Sequence, residues 1–167
     1  PNSMVTMTLG IVGKDMTLNT STIAGASDNA DVGNTPFDSF TGSITEGGST
    51  IGTVTSFDLT LENGIEPLFS VGSATTNQPS IGKSRVSGTL GTYFDSKALL
   101  DKFVNETNSE IVLTLTDVAG KDYLIDLPKV KYNTGQPDVS GEGAIQISLE
   151  FVALFNSSDA SQLVITR

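Results

Sequence analysis

The residues able to carry chemistry in this chain are few and of narrow type. Asp58, Glu62 and Glu66 form the nearest set of paired carboxylates, the arrangement that glycoside hydrolysis requires. Nothing in their surroundings supplies an apolar cleft, and a spacing of four along one strand face equally describes a solvated surface. Asp28, Asp31 and Asp38 carry oxygen ligands of the kind that hold Ca²⁺. The run Asp28-Asn-Ala-Asp31-Val-Gly33 lacks the spacing and the closing Glu of an EF-hand loop, so it reads as a hydrated loop. Lys83, Arg85, Lys97 and Lys102 are the main basic set. They either compensate acidic neighbours or form a patch complementary to the acidic side of another subunit. Gly10-Ile-Val-Gly13 and the Gly141/Gly143 pair match no phosphate-binding pattern, and no basic–aromatic interleaving suggests a base-stacking platform.

Composition narrows the chemistry further. There is no Cys and no His among the 167 residues. Thiolate nucleophiles, disulfides, imidazole bases and Ser-His-Asp triads are therefore absent. No cofactor is expected, nor a small-molecule substrate, and the residues point away from an enzyme. The net charge of −10, from 19 acidic and 9 basic residues, opposes the basic-groove mode of DNA binding. It remains compatible with a surface that lets DNA pass without holding it. No apolar run approaches the ~20 residues of a membrane-spanning helix, so no membrane insertion is expected.

The elements that must position these residues are mostly strands. Ser and Thr number forty, Gly seventeen, and only 17% of residues are charged, a composition suited to β-structure with many turns. Met4–Val12 alternates as a strand, with Val5, Met7, Leu9 and Ile11 on one face; that face is either core or an edge awaiting a partner chain. Lys14–Phe40 is polar and Gly-containing and reads as one long flexible loop or an assembly arm. Gly47-Gly48-Ser49 joins Ser43–Glu46 to a long arm, Thr50–Leu61, whose buried face is Ile51, Thr53, Thr55, Phe57, Leu59 and Leu61. Lys83–Phe94 is a strand in which Gly88 marks a bulge or a close backbone contact.

Asp95-Ser96 then offers an N-cap, and Leu99, Leu100, Phe103 and Val104 form a helical stripe with Lys97, Asp101, Lys102 and Glu106 facing outward. Glu110–Thr116, Lys121–Tyr132, Ala144–Phe155 and Ser161–Arg167 complete the strands. Pro128 makes the second of these an edge strand or a bulged one. The expected fold is mainly β: an antiparallel sandwich or barrel of about seven to eight strands with one flanking helix, in a single domain over residues 1–167.

An ordered set of segments is more specific. It comprises Ser56-Phe-Asp-Leu-Thr-Leu-Glu-Asn-Gly-Ile-Glu-Pro67, Arg85-Val-Ser-Gly-Thr-Leu-Gly-Thr-Tyr-Phe94, Leu99-Leu-Asp-Lys-Phe-Val-Asn-Glu-Thr107, Leu127-Pro-Lys-Val-Lys-Tyr132 and Gly135-Gln-Pro-Asp-Val-Ser-Gly-Glu-Gly143. In this order it resembles the tail tube proteins of long, non-contractile phage tails, over nearly the whole chain and least in residues 14–37. Those proteins resemble in turn the tube protein of type VI secretion.

The resemblance implies that this chain is the C-terminal half of a longer subunit. It implies a structural protein whose copies join into rings and stack into a hollow conduit for DNA in the virion tail, assembled in the host cytoplasm. Its partners would be itself, a tape measure protein and tail-completion proteins. Such tubes have an acidic lumen, which makes Asp58, Glu62 and Glu66 candidate lumen-facing residues. Lys83, Arg85, Lys97 and Lys102 become candidate subunit contacts. The alternative reading is a loop-rich binding or adhesin domain that recognises a surface ligand.

Overall fold

The computed structural model describes residues 4–21, 36–38, 41–51, 53–117, 120–138 and 142–167. They fall into two compact units. One comprises Pro1–Val5, Pro36–Glu62 and Arg85–Arg167, the other Thr6–Thr35 and Asn63–Ser84. The expected flexible loop at 14–40 and the acidic run at Asp28 and Asp31 lie largely or wholly outside the described residues.

The elements in chain order are β1 (Gly42–Glu46), β2 (Ser49–Thr50), β3 (Val54–Glu62), β4 (Ile65–Glu66), β5 (Ser80–Ile81), β6 (Arg85–Tyr93), α1 (Ala98–Val104), β7 (Ser109–Thr116), β8 (Asp122–Tyr132), β9 (Pro137–Asp138), β10 (Gln146–Ala153) and β11 (Val164–Thr166). Nine strands of the first unit make one antiparallel sheet along the path β2-β1-β7-β8-β10-β6-β3, with β11 paired to β8 and β9 to β10. The fold is thus mainly β with one short helix, as the composition implies.

The sheet is strongly curled. Seven strands laid flat would place β2 and β3 about 29 Å apart, at ~4.8 Å per gap. Yet β2 ends at Thr50 and β3 begins at Val54, and that many residues reach only about 14 Å. The two ends of the path must therefore approach each other, although the hydrogen-bond ladder does not close into a barrel. Tyr93 N–H donates to the Thr53 carbonyl (3.1 Å), and the buried Thr92 hydroxyl meets Thr53 Oγ1 at 2.9 Å, which fastens the start of β3 to β6.

This path corrects the reading of Thr50–Leu61 as one arm of a hairpin. Gly47 (φ 57°) and Gly48 (φ 78°) do make a two-residue turn with both residues left-handed, which suits glycine. The returning arm pairs with β1 at Ser49 and Thr50, and Ile51 N–H still donates to the Ile44 carbonyl at 2.9 Å; from Val54 the chain instead pairs with β6 at the opposite edge of the sheet. Its face assignment holds from Ser56 to Thr60, where Phe57 and Leu59 are half-buried and Ser56, Asp58 and Thr60 are exposed. It fails at the ends, since Leu61 is 48% exposed and Val54, beyond a bulge between Val54 and Ser56, packs against the core.

The core lies on one face of this sheet. Val86 and Leu90 of β6, Ile147, Leu149, Phe151 and Ala153 of β10, Ile111 of β7, and Leu127, Val130 and Tyr132 of β8 are all buried. Gly88 faces the same way and is a close-contact glycine, since a Cβ there would meet the Asp58 carbonyl and sit 2.6 Å from Phe151 Cζ. That space lets Phe57 stack on Phe151 with ring centroids 5.8 Å apart.

Pro128 is accommodated by a bulge in an interior strand. β8 pairs with β7 on one side, where the register shifts between Ser109 and Ile111. On its other side it pairs with β11 at residues 124–126 and with β10 at 130–132. The proline, which has no N–H to donate, sits in the gap between those two partners.

Two further expectations are corrected. Met4–Val12 is not a strand: only Met4 bridges Asp38, and Val5 N–H donates to the Phe37 carbonyl at 2.9 Å. Alternation marks a residue pattern fit for a ladder but supplies no partner. In the helix, Leu99 and Phe103 pack on the core, whereas Val104 is exposed and Lys102 turns toward the sheet. Lys97, with no side-chain cap, stands at the N-cap position, and Ser96 Oγ accepts from Ala98 N–H at 3.4 Å.

In the second unit β4 pairs with β5, and Gly82 N–H donates to the Gly64 carbonyl at 2.9 Å. The Leu68 carbonyl accepts from Asn77 N–H (3.0 Å) and from the buried Thr76 hydroxyl (2.9 Å). Leu68, Phe69, Val71 and Ile81 remain exposed.

Candidate functional site

The face of β3, β6 and β10 opposite the core is mostly polar, with many short hydroxyl side chains. The paired registers set Asp58 beside Thr89 and Thr89 beside Glu150. Thr60, Ser87 and Val152 form the next row, and Val152 stands opposite Lys131 of β8. Ser56, Gly91 and Ser148 form a row on the other side. The face is acidic and rich in hydroxyls, with Asp58, Glu62 and Glu150 all exposed.

The structure groups the candidate acidic residues in part. Asp58 and Glu62 share this face, about 13 Å apart at ~3.3 Å per residue. That exceeds the ~5–9.5 Å between the carboxyl pairs of glycoside hydrolases. Glu66 lies in the second unit, exposed at the end of β4. Among the described residues no three acidic side chains converge on a site fit for a metal ion. No described helix is long and apolar enough to cross a membrane.

The candidate basic residues do not form one cluster. Lys83 belongs to the second unit. Arg85 opens β6 directly opposite Glu62 in the ladder, so the two share the polar face. Lys97 is exposed and forms a 3.4 Å pair with Asp101 one helical turn on. Lys102 is committed inside the subunit. Its Nζ donates to both Glu46 oxygens, at 2.7 and 2.6 Å, and to Ser109 Oγ at 3.0 Å.

This last group is a buried polar network that the sequence reading missed. Glu46 ends β1, Ser109 opens β7, Tyr132 ends β8, and the Tyr132 hydroxyl donates to Glu46 Oε1 at 3.1 Å. Burial, then the charge of Glu46 and its hydrogen bond, push the Tyr132 phenol well above its ordinary value. A Cβ on Gly47 would lie 2.8 Å from Lys102 Nζ, so that glycine also keeps the ammonium site open. The only sequence signal was an acid beside a hairpin glycine pair and a lysine on the helix, 56 positions apart. Lys102, Ser109, Glu110, Lys129 and Asn156 line a shallow recess of about 460 Å³ beside this network.

A third acidic locus lies where β8, β7 and the turn at 156–161 meet. Partial burial raises the Asp126 carboxyl above its usual range, and Glu110 and Asp159 add to the shift. Asp126 Oδ1 is buried without a hydrogen-bond partner. Asp159 itself accepts from the Asn156 side chain at 2.5 Å.

None of these loci assembles a nucleophile, a base and an oxyanion site, and comparison with known proteins agrees with a structural role. The family model described as "Phage tail tube protein" matches residues 1–153. No curated protein sequence matches the chain. Among solved structures, the tube-terminating cap of the anti-feeding prophage is similar at a TM-score of 0.58 and 14% identity, covering 86% of this chain and 99% of that one. The sheath/tube terminator of an extracellular contractile injection system, in its extended state, gives 0.59 and 14%, covering 80% and 98%. The SPP1 tail tube gives 0.55 and 16%, covering 70% and 75%. At these identities the likeness is one of fold.

Proposed function

The chain belongs to the phage tail tube protein family, and on that premise we propose that it is the repeating subunit of the tube of a long, non-contractile phage tail. Copies join into rings, rings stack, and DNA passes through the bore without being bound. The observation that carries this reading is the family match over residues 1–153. Two features of the molecule support it. Large apolar side chains stand exposed along 4–18 and 65–81, as expected of a subunit whose contacts lie in an assembly. The polar face of β3, β6 and β10 is acidic and hydroxyl-rich, the character suited to a wall that must not retain phosphates.

On this reading Asp58, Glu62 and Glu66 face the lumen, together with Glu150. Lys83, Arg85 and Lys97 serve subunit contacts. Lys102 contributes there only by holding α1 in place, because its charge is used by Glu46. The partners are further copies of the chain, a tape measure protein inside the bore, and completion or cap proteins at the tube end. The location is the virion tail. Among the described residues no built ligand site favours the adhesin alternative.

The test is electron microscopy of the purified chain at high concentration, followed by helical reconstruction. Hollow tubes whose inner wall carries more carboxylates than ammonium or guanidinium groups are the expected result. Monodisperse particles at every concentration, or a bore lined by Lys and Arg, would overturn the reading.

A further inference from the structure

We propose that residues 4–12 of one copy add as an antiparallel strand to the open edge of β3 in a second copy. The inference rests on the self-assembly reading above and names the surfaces that carry one of its contacts.

The first half of the argument is the edge. β3 is nine residues long and ends the sheet path, and no described strand pairs with its outer side. Among the described residues, the outward-pointing backbone N–H and C=O groups along this edge, about 30 Å long, have no strand partner. Long open edges are commonly blunted by lysine, proline or a covering element, because they otherwise recruit strands from other chains. β3 contains neither lysine nor proline. Its apolar face is also incompletely covered: Leu59 is half-buried and Leu61 is 48% exposed.

The second half is the segment. Met4-Val-Thr-Met-Thr-Leu-Gly-Ile-Val12 has the alternation of a half-buried strand, the same length as β3, and no charged residue. Apart from its anchoring at Met4 and Val5, no described residue pairs with it. Met7 is 78% exposed, Leu9 70% and Ile11 87%, an arrangement that costs burial free energy until something covers these side chains.

The two halves match side by side. A register that sets Leu9 against Phe57 also sets Val5 against Leu61 and Met7 against Leu59, extending the apolar face by a strand. The same register sets Thr6 and Thr8 beside Thr60 and Asp58, on the polar face. Every described ladder in the chain is antiparallel, and the added pair continues that pattern. Backbone hydrogen bonds supply the adhesion in such strand addition, and the alternate side chains set the register.

The experiment uses the absence of cysteine from the chain, which makes any introduced thiol unique. Chains carrying Thr8→Cys are mixed with chains carrying Ser56→Cys, Asp58→Cys or Thr60→Cys, allowed to assemble and oxidised. The expected result is a disulfide between the two kinds of chain for at least one pair, strongest with Asp58→Cys. In parallel, Leu9→Pro is compared with the unmodified chain. Because 6–13 form no ladder within one copy, its melting temperature should be unchanged, while self-association weakens by tenfold or more. Assembly that proceeds without any cross-link, or that Leu9→Pro leaves intact, overturns this inference and leaves the tube reading standing. Failure of the unmodified chain to associate overturns both.

Discussion

Lys102 Nζ lies 2.6 Å from Oε2 of Glu46, tying the helix to the end of the first strand across 56 residues of sequence. Glu46 is 6% exposed, so its charge is stable there only while the ammonium, the Ser109 hydroxyl and the Tyr132 hydroxyl surround it. Replacing one partner strands the other, a loss that for buried pairs is about 3–5 kcal/mol.

Lys102→Met should therefore lower stability by about 3 kcal/mol, the low end of that range because the lysine retains some exposure. The double variant Glu46→Leu with Lys102→Met should recover most of the loss, since no buried charge remains. Urea denaturation of both variants checks this. Equal destabilisation in the single and double variants would show that the ion pair is not the source.

Gly88→Ala should cost about 2–3 kcal/mol. The new methyl would meet the Asp58 carbonyl and the Phe151 ring, both held by the β3–β6 ladder and the core. Gly143→Ala, where a Cβ meets nothing within 4 Å, is the matched control and should be close to neutral. Melting curves of the two variants provide the comparison.

Asp126→Asn should stabilise the protein at neutral pH. Partial burial and the nearby Glu110 and Asp159 raise this carboxyl in the folded state, so folding opposes its ionisation. The sign follows from linkage. Below the unfolded pKa of ~3.9 the group is protonated in both states and contributes no penalty. As pH rises through the higher folded value the stability is lost. The gain from asparagine should thus be largest near pH 7 and fade below about pH 4. Melting temperatures measured across that window test it.

Reversing charge on the polar face should make an assembled tube retain DNA. Asp58→Lys and Glu150→Lys each add a cation in the rows that join β3, β6 and β10. If that face lines the bore, retention at low salt should rise, with the slope of log K against log salt steepening by about 0.9 for each phosphate newly neutralised. Unchanged retention by tubes carrying both substitutions would place the face elsewhere.

The sequence by itself determined much of the secondary structure and which face of most strands is buried. Alternation in Ala144–Phe155 sets Ile147, Leu149, Phe151 and Ala153 on one face, all of them buried, because a period of two admits only two faces and only one is apolar. Ile145, on the same face by that pattern, lies ahead of the strand and is exposed. The glycine pair at 47–48 marks its turn for an equally local reason, and Gly88 its close contact. Partnership was decided only by the tertiary structure. Residues 4–12 and 146–153 show similar alternation, yet one segment lies outside any ladder and the other is central, because pairing depends on what the rest of the chain brings alongside. The switch of the chain from β1 to the opposite edge of the sheet, the interior place of a strand containing Pro128, and the inward turn of Lys102 have the same origin. Each depends on groups that are remote in sequence and that no local periodicity relates.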